Sequence, residues 1–269
     1  MPLLDVVCQT LSSMAPLRLA EEWDNVGLLI GDRKQPIDKV MTCLTVTPNV
    51  VDEAVADHAD LVVAHHPLPF KPLGRLTSDS IPGSMLLKLI GNGVSLYSAH
   101  TAFDSASQGI NQYWATMLGL TAIETLLPSE SEVENESPLE GTGRLGRLAA
   151  PEDLQSLATR AADLVGAESP RIVGQKGQPV SKVALACGSG GSFLSAARRR
   201  GCDVMVTGEA TFHTCLEAES LGMGLVLLGH YWSERFAMER MADELRQEIP
   251  DLQVWASRSE HDPLTTLMR

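Results

Sequence analysis

Apolar residues recur at helical spacing through Leu4, Val7, Leu11 and Met14, which predicts a helix over 4–14. The next patterned stretch, "KVMTCLTV" (39–46), is almost continuously apolar and predicts a buried strand. Helical spacing returns in "PNVVDEAVADHA" (48–59), with Pro48 near its start, where a missing N–H costs little. "DLVVAH" and "VSLYSAH" predict further strands. Between them "SMLLKLIGNG" predicts a helix stopped by glycine, and after them "SQGINQYWATMLGL" predicts another helix. Beyond residue 150 the alternation resumes, with "APEDLQSLATRAADLVGA" as a helix. "VALACG", "DVMVTG" and "GLVLLG" are strands, and "SFLSAARRRG", "HTCLEAESLG" and "SERFAMERMADELRQEI" are helices. Strands alternating with helices argue for an α/β class with mixed, mostly parallel sheets.

The pattern repeats within the chain. Residues 39–66 align without gaps onto 182–209, pairing Lys39-Val40 with Lys182-Val183, Ala54 with Ala197, Asp60 with Asp203 and Val63 with Val206. The predicted strand, helix and strand coincide as well. At a slightly different offset "HTAFD" (100–104) matches "HYWSE" (230–234), each a histidine and an acid four residues apart after a strand. Two related α/β halves are therefore expected, the first built from 1–125 plus 224–269 and the second from 126–223. A metal site is expected at the cleft between them. "SESEVENESPLEGTGRLG" (129–146) is acidic and rich in Gly, Ser and Pro, and reads as an exposed loop or junction.

Composition narrows the class. A chain of 269 residues, 44% hydrophobic, can bury one large core or two moderate ones. The net charge of -13 opposes a polyanionic partner and argues against nucleic acid as ligand. The basic run Arg198-Arg199-Arg200 falls on a predicted helix and reads as a solvated face. Five cysteines with no CxxC pair speak against a disulfide framework and for reduced thiols. With no basic, apolar leader and no apolar run of about 18–20 residues, a soluble cytoplasmic protein without membrane contact is expected.

Candidate chemistry gathers at the strand ends. His65, His66, His100 and His230 directly follow apolar strand-like runs. In open α/β sheets ligands bind beyond the carboxyl ends of the strands, so three strands deliver histidine to one edge. Asp104 and Glu234 lie four residues after two of these histidines. Imidazole with carboxylate suits divalent Zn, Fe, Mn or Ni. Adjacent strand residues point to opposite faces, so the rings of His65 and His66 are expected to diverge. Two ions about 3.5–4 Å apart then serve them better than one, with Asp104, His230 and Glu234 completing the shells. Glu234 also fits a dipole-stabilised acid in the first turn of a helix capped by Ser233. In "GEATFH" (208–213), Glu209 and His213 fit either an acid/base role or a structural one. "CGSGGSF" (187–193) fits a tight turn or a phosphate cradle, although it matches no standard phosphate motif. Trp23 and Asp24, in "EEWDNVGLLIGD", fit cleft lining or plain packing.

In order along the chain, "EEWDNVGLLIGD", "HHPLPFKPL", "HTAFDSASQGIN", "GSGGSF", "TGEATFH" and "GHYWSE" resemble the dinuclear-metal-centre hexamer family, whose members are often labelled GTP cyclohydrolase I type 2 homologues. The resemblance runs from about residue 4 to 258. It implies two interlocked α/β halves, a toroidal homohexamer and two divalent metals facing the central cavity. By motif, His65, His66, Asp104, His230 and Glu234 match its ligands, and His100 matches a residue beside the site. One departure is Thr211-Phe212, where relatives often carry Lys-Tyr. The chain also has no room for the inserted domain of longer relatives. The family label implies opening of the purine imidazole ring of GTP. Two adjacent ions suit hydrolysis, so the expected activity is metal-dependent hydrolysis, a metal-bound hydroxide attacking a nucleotide-like small molecule, with Glu209 or His213 assisting proton transfer. The alternative is a non-catalytic metal-binding scaffold, metal chaperone or interaction protein.

Overall fold

The computed structural model describes residues 1–128 and 139–267. In chain order its regular elements begin with α1 (Leu4–Met14), β1 (Gly27–Ile30), β2 (Lys39–Thr45), α2 (Pro48–Ala56), β3 (Leu61–His66), α3 (Ile81–Gly91), β4 (Ser95–Ser98) and α4 (His100–Ser105). They continue with α5 (Ile110–Met117), β5 (Thr121–Pro128), β6 (Gly141–Asp153), α6 (Leu154–Val165), β7 (Arg171–Val173), β8 (Pro179–Ala186) and α7 (Leu194–Arg199). The last are β9 (Val204–Thr207), α8 (Phe212–Ser220), β10 (Gly224–Leu227), α9 (His230–Glu234), α10 (Phe236–Glu248) and β11 (Gln253–Ala256).

The chain forms two units, Met1–Phe103 with Ala237–His261, and Asp104–Phe236 with Asp262–Arg269. These cuts differ from the expected ones at 125/126 and 223/224, and strand pairing is the reason. β5 pairs with β6 and β10 with β9, which holds both in the second sheet. β11 pairs in parallel with β2, which returns the C-terminal strand to the first.

The first unit carries a five-stranded sheet in the order β1-β4-β3-β2-β11, with only β1 antiparallel. One face presents Met41, Cys43, Val62, Ala64 and Leu96 to Val50, Val51 and Ala54 of α2 and to Met85, Leu86 and Leu89 of α3. Thr42, on the other face, donates its hydroxyl to the Met238 carbonyl of α10 at 2.8 Å. Burial on both faces explains why these strands read as unbroken apolar runs rather than alternating ones. Each large aliphatic side chain so buried contributes about 1.5–3 kcal/mol.

The second unit carries a six-stranded sheet in the order β5-β6-β8-β9-β10-β7. β8, β9 and β10 are parallel, while β5, β6 and β7 join antiparallel. Leu145, Ala184, Met205, Leu225 and Leu227 pack with Leu194, Ala196 and Ala197 of α7 and Ala218 of α8. The mixed α/β class with two mixed sheets is thus as expected. Part of the acidic stretch is not a loop: Gly141–Gly146 open β6, because they pair with β5 on one side and β8 on the other. Residues 129–138 of that stretch lie outside the described residues.

The internal repeat holds down to single hydrogen bonds. Asp60 Oδ2 accepts from the backbone N–H groups of Asp38 and Lys39 at 2.8 and 2.9 Å, and Asp203 Oδ2 accepts from Ser181 and Lys182 at 2.8 Å each. Lys39 Nζ donates to the Asp57 carbonyl at 3.1 Å, and Lys182 Nζ donates to the Arg200 carbonyl at 2.6 Å. Each aspartate, just ahead of the second strand of the repeat (β3 or β9), fixes the start of the repeat's first strand (β2 or β8).

Candidate functional site

In the first unit, in-register pairing of β2, β3 and β4 brings their carboxyl ends level. His65 and His66 end β3, and His100 begins α4 two residues after β4. One ligand atom from each of the three lies within 4.8 Å of the others. The rings of His65 and His66 do not diverge: their centroids are 5.0 Å apart, and those of His65 and His66 lie 5.2 and 5.5 Å from that of His100. The ladder itself is regular through His66, which pairs with Thr45, so the two imidazoles approach each other at the end of an ordinary strand.

The same edge fixes the rings. His66 Nδ1 meets the Thr45 hydroxyl at 2.7 Å, from the residue paired with it on β2. His100 Nδ1 meets Asp24 Oδ1 at 2.7 Å. The Asp24 side chain is fully buried and also accepts from Thr101 N at 3.1 Å and Thr101 Oγ1 at 2.5 Å. Burial pushes the Asp24 carboxyl up, but the hydrogen bonds from His100 and Thr101 outweigh it and hold it down at about 2. Asp24 thus holds the His100 ring rather than merely packing.

In the second unit β8, β9 and β10 end level in the same way. Cys187, Glu209 and His230 follow them. His230 Nδ1 meets Glu209 Oε1 at 2.8 Å, and its Nε2 meets Glu234 Oε2 at 3.1 Å across one turn of α9. The Glu234 hydrogen bond, opposed by burial and reinforced by the Glu234 charge and the Glu209 hydrogen bond, raises His230 to about 9. Glu209 is lowered, first by its bond to His230 and then by the Ser189 hydroxyl, which donates at 2.7 Å. Asp104 Oδ1 accepts from the Cys187 thiol at 3.2 Å, and burial followed by the Asp104 and Glu234 charges pushes that thiol well up. Asn111 bridges the two, donating to the Asp104 carbonyl at 3.1 Å and accepting from Cys187 N at 2.9 Å.

The glycine-rich turn after β8 exists for close approach. Gly188 has φ +58°, and a Cβ there would stand 2.2 Å from Glu234 Oε1. The N–H groups of Gly188 and Gly190 donate to Ser233 Oγ at 2.9 Å and Thr207 Oγ1 at 3.1 Å, so they are spent inside the protein. The tight-turn reading accounts for them. Ser233 is no helix cap: its hydroxyl donates to the His230 carbonyl at 2.8 Å.

Of the site residues expected from sequence, His65, His66 and His100 form one cluster in the first unit. His230, Glu234 and Glu209 are joined in the second, and Asp104 stands there with Cys187. His213 sits on the exposed first turn of α8, and among the described residues no hydrogen bond joins it to Glu209. Beside Glu209 an open cleft of about 410 Å³ is lined by Ser189, Ser192, Thr211 and Thr214. Cys187 and Asn111 carried no sequence signal beyond the position of Cys187 after an apolar run.

These features define a two-unit mixed α/β protein whose strand ends carry histidine and carboxylate side chains of the kinds that could hold a metal ion. The chain belongs to the Duf34/NIF3 (NGG1p interacting factor 3) family, whose model matches residues 2–263. It is 32% identical over 228 residues to a Clostridium acetobutylicum "GTP cyclohydrolase 1 type 2 homolog", covering 85% of this chain and 84% of that one. It is 32% identical over 263 residues to a Schizosaccharomyces pombe "Protein NIF3 homolog", covering 93% of each. The crystal structure of a Bacillus cereus protein related to NIF3 superposes with a TM-score of 0.91 at 24% identity, covering 99% of both chains. The resemblance read from the motifs is borne out. No described helix is long and apolar enough to cross a membrane.

Proposed function

We propose that the protein is a dinuclear metal-dependent hydrolase acting on a nucleotide-like small molecule. One observation carries this reading. His66, His100 and His230 each have Nδ1 engaged by a side-chain oxygen, of Thr45, Asp24 and Glu209 respectively, at 2.7–2.8 Å. Metal-ligating histidines are oriented in this way through one ring nitrogen; in His230 the other, Nε2, stands 3.1 Å from Glu234 Oε2, the carboxylate assigned to the same shell. The donor set fits the expected metals, being imidazole-rich with two carboxylates. His65, His66 and His100 would hold ions from the first unit, and Asp104, His230 and Glu234 from the second.

Two divalent ions there would supply Lewis acidity and water activation for hydrolysis. The chain's own residues do the rest. Asp24, Thr45 and Glu209 orient the rings. Glu209, half-exposed and held ionised, can also accept a proton at its carboxylate, whereas His213 acts only from an exposed turn. With a net charge of -13, an anionic substrate is repelled at long range, so bound cations are needed for its capture. Family relatives labelled as GTP cyclohydrolase 1 type 2 homologues support a purine nucleotide as first candidate. The reading also includes homohexameric assembly and a cytoplasmic location. The test is turnover of GTP and a panel of phosphoesters by protein loaded separately with Zn, Mn, Fe and Ni. Hydrolysis lost on Glu234→Gln is expected; absence of turnover with every metal would favour the scaffold reading.

A further inference from the structure

Two large aromatic side chains stand in the open beside the histidine cluster. Trp23 is 60% exposed and Phe70 is 51% exposed. Their ring centroids are 5.8 Å apart with planes tilted by 44°, and they lie 5.8 and 6.1 Å from the ring of His100. The three rings are contiguous, and two of them turn much of their apolar surface to solvent.

Both rings are carried by pinned segments. Trp23 lies in a turn closed by Asp24 N donating to the Glu21 carbonyl at 2.9 Å, and Glu21 N donates to Thr101 Oγ1 at 3.0 Å. Asp24, the next residue, is tied to His100 and Thr101. Asn25 Nδ2 donates to the Pro69 carbonyl at 2.8 Å, which holds the segment before Phe70 against the one after Trp23. The platform is therefore set before any ligand arrives, which lowers the ordering cost of binding. Rigid aromatic surface left exposed beside convergent polar groups is what ligand sites present.

We propose that Trp23 and Phe70 form a stacking platform for a planar nitrogen heteroaromatic ring, such as a nucleobase, belonging to the molecule handled at the His65–His66–His100 cluster. This rests on the proposed nucleotide-directed function and specifies its recognition element. A sandwich between the two rings is ruled out by their mutual contact and tilt. The ligand ring lies on the outer face of the pair, and its edge reaches toward His100. Stacking of a base on an aromatic side chain is worth about 1–3 kcal/mol by alanine substitution, or about 5- to 150-fold in affinity.

The experiment is equilibrium binding of guanosine monophosphate and of ribose 5-phosphate to metal-loaded full-length protein. The variants are Trp23→Ala, Phe70→Ala and Trp23→Phe, with metal content and assembly mass measured on each. Trp23→Ala and Phe70→Ala are expected to weaken guanosine monophosphate about 5- to 150-fold and to leave ribose 5-phosphate, metal content and mass unchanged. Trp23→Phe should restore most of the loss. The proposal is overturned if wild type does not bind the nucleotide, if the alanine variants bind it as wild type does, if both ligands weaken equally, or if the assembly mass changes, which would make the pair a subunit contact. Base-dependent binding without hydrolysis would keep the platform and reject the hydrolase.

Discussion

Gly188 offers a controlled perturbation of the carboxylate set. An alanine methyl there would lie 2.2 Å from Glu234 Oε1 and 3.3 Å from His230 Nε2. Contact distances of about 3.5 Å require the carboxylate to retreat by about 1 Å. The backbone is also strained, because Gly188 has φ +58° and a left-handed L-residue costs about 1–2 kcal/mol. Gly119 has nearly the same backbone, φ +63°, with nothing within 4 Å of its would-be Cβ. Gly119→Ala therefore isolates the backbone cost. For a chain of this size it should lower the melting temperature by about 2–8 °C. Gly188→Ala should lose a similar amount in the metal-free state, since a side chain can move aside. A carboxylate displaced by about 1 Å should cost roughly 10- to 100-fold in metal affinity, as outer-shell changes do. Calorimetric melting of metal-free protein and titration of chelator-stripped protein with Zn and Mn separate the two effects. If Gly188→Ala took up metal as tightly as Gly119→Ala, Glu234 would not be a ligand in this geometry.

Arg144 is fully buried and donates to the carbonyls of Gly141, Gly143 and Ala106 and to Gln112 Oε1, at 2.6–3.0 Å. Burial lowers its guanidinium to about 10, and Arg144→Leu should cost about 3–5 kcal/mol in urea unfolding by leaving those acceptors unmet. Asp60→Ala and Asp203→Ala should cost about the same as each other, roughly 1–3 kcal/mol each, because each strips two strand-start N–H groups of their acceptor. Unequal losses by more than 2 kcal/mol would deny the energetic equivalence of the two halves. Burial pushes Glu53 up, but donors from Arg258, Ser259 and Ser257 outweigh it and hold it at about 2. Its contribution is complete above the unfolded value of 4.5 and fades as pH falls toward 2. Glu53→Gln should therefore flatten the wild-type loss of stability over that range, as read by denaturation at stepped pH.

Much of the layout was legible in the sequence for physical reasons. Strands buried on both faces, β2, β3, β8, β9 and β10, show as apolar runs, and the helices between them keep their own period. The candidate ligands follow those runs directly, so strand ends located them. Elements with weaker signals escaped. β5 exposes five of its eight residues as an edge strand, and β6 begins in "GTGRLG", whose glycines read as a loop although its backbone is paired on both sides. Arg144 reads as a surface charge, since only the folded loop shows four acceptors converging on it. Strand periodicity misjudged the rings of His65 and His66, because it governs the side into which a side chain starts and not where a ring at the strand end comes to rest. The supports of the rings, Thr45, Asp24 and Glu209, are brought in from elsewhere in the chain by sheet register and by turns, which no local pattern encodes.

The proposed hydrolase needs divalent ions bound by the histidine and carboxylate side chains at these strand ends. Elemental analysis of purified protein, with His65→Ala and Glu234→Ala beside wild type, tests it most directly. Wild type should carry about two ions per chain, and each variant should lose at least one while keeping its fold by circular dichroism. Full metal content in both variants, or wild type purified from metal-supplemented medium without bound metal, would contradict the account.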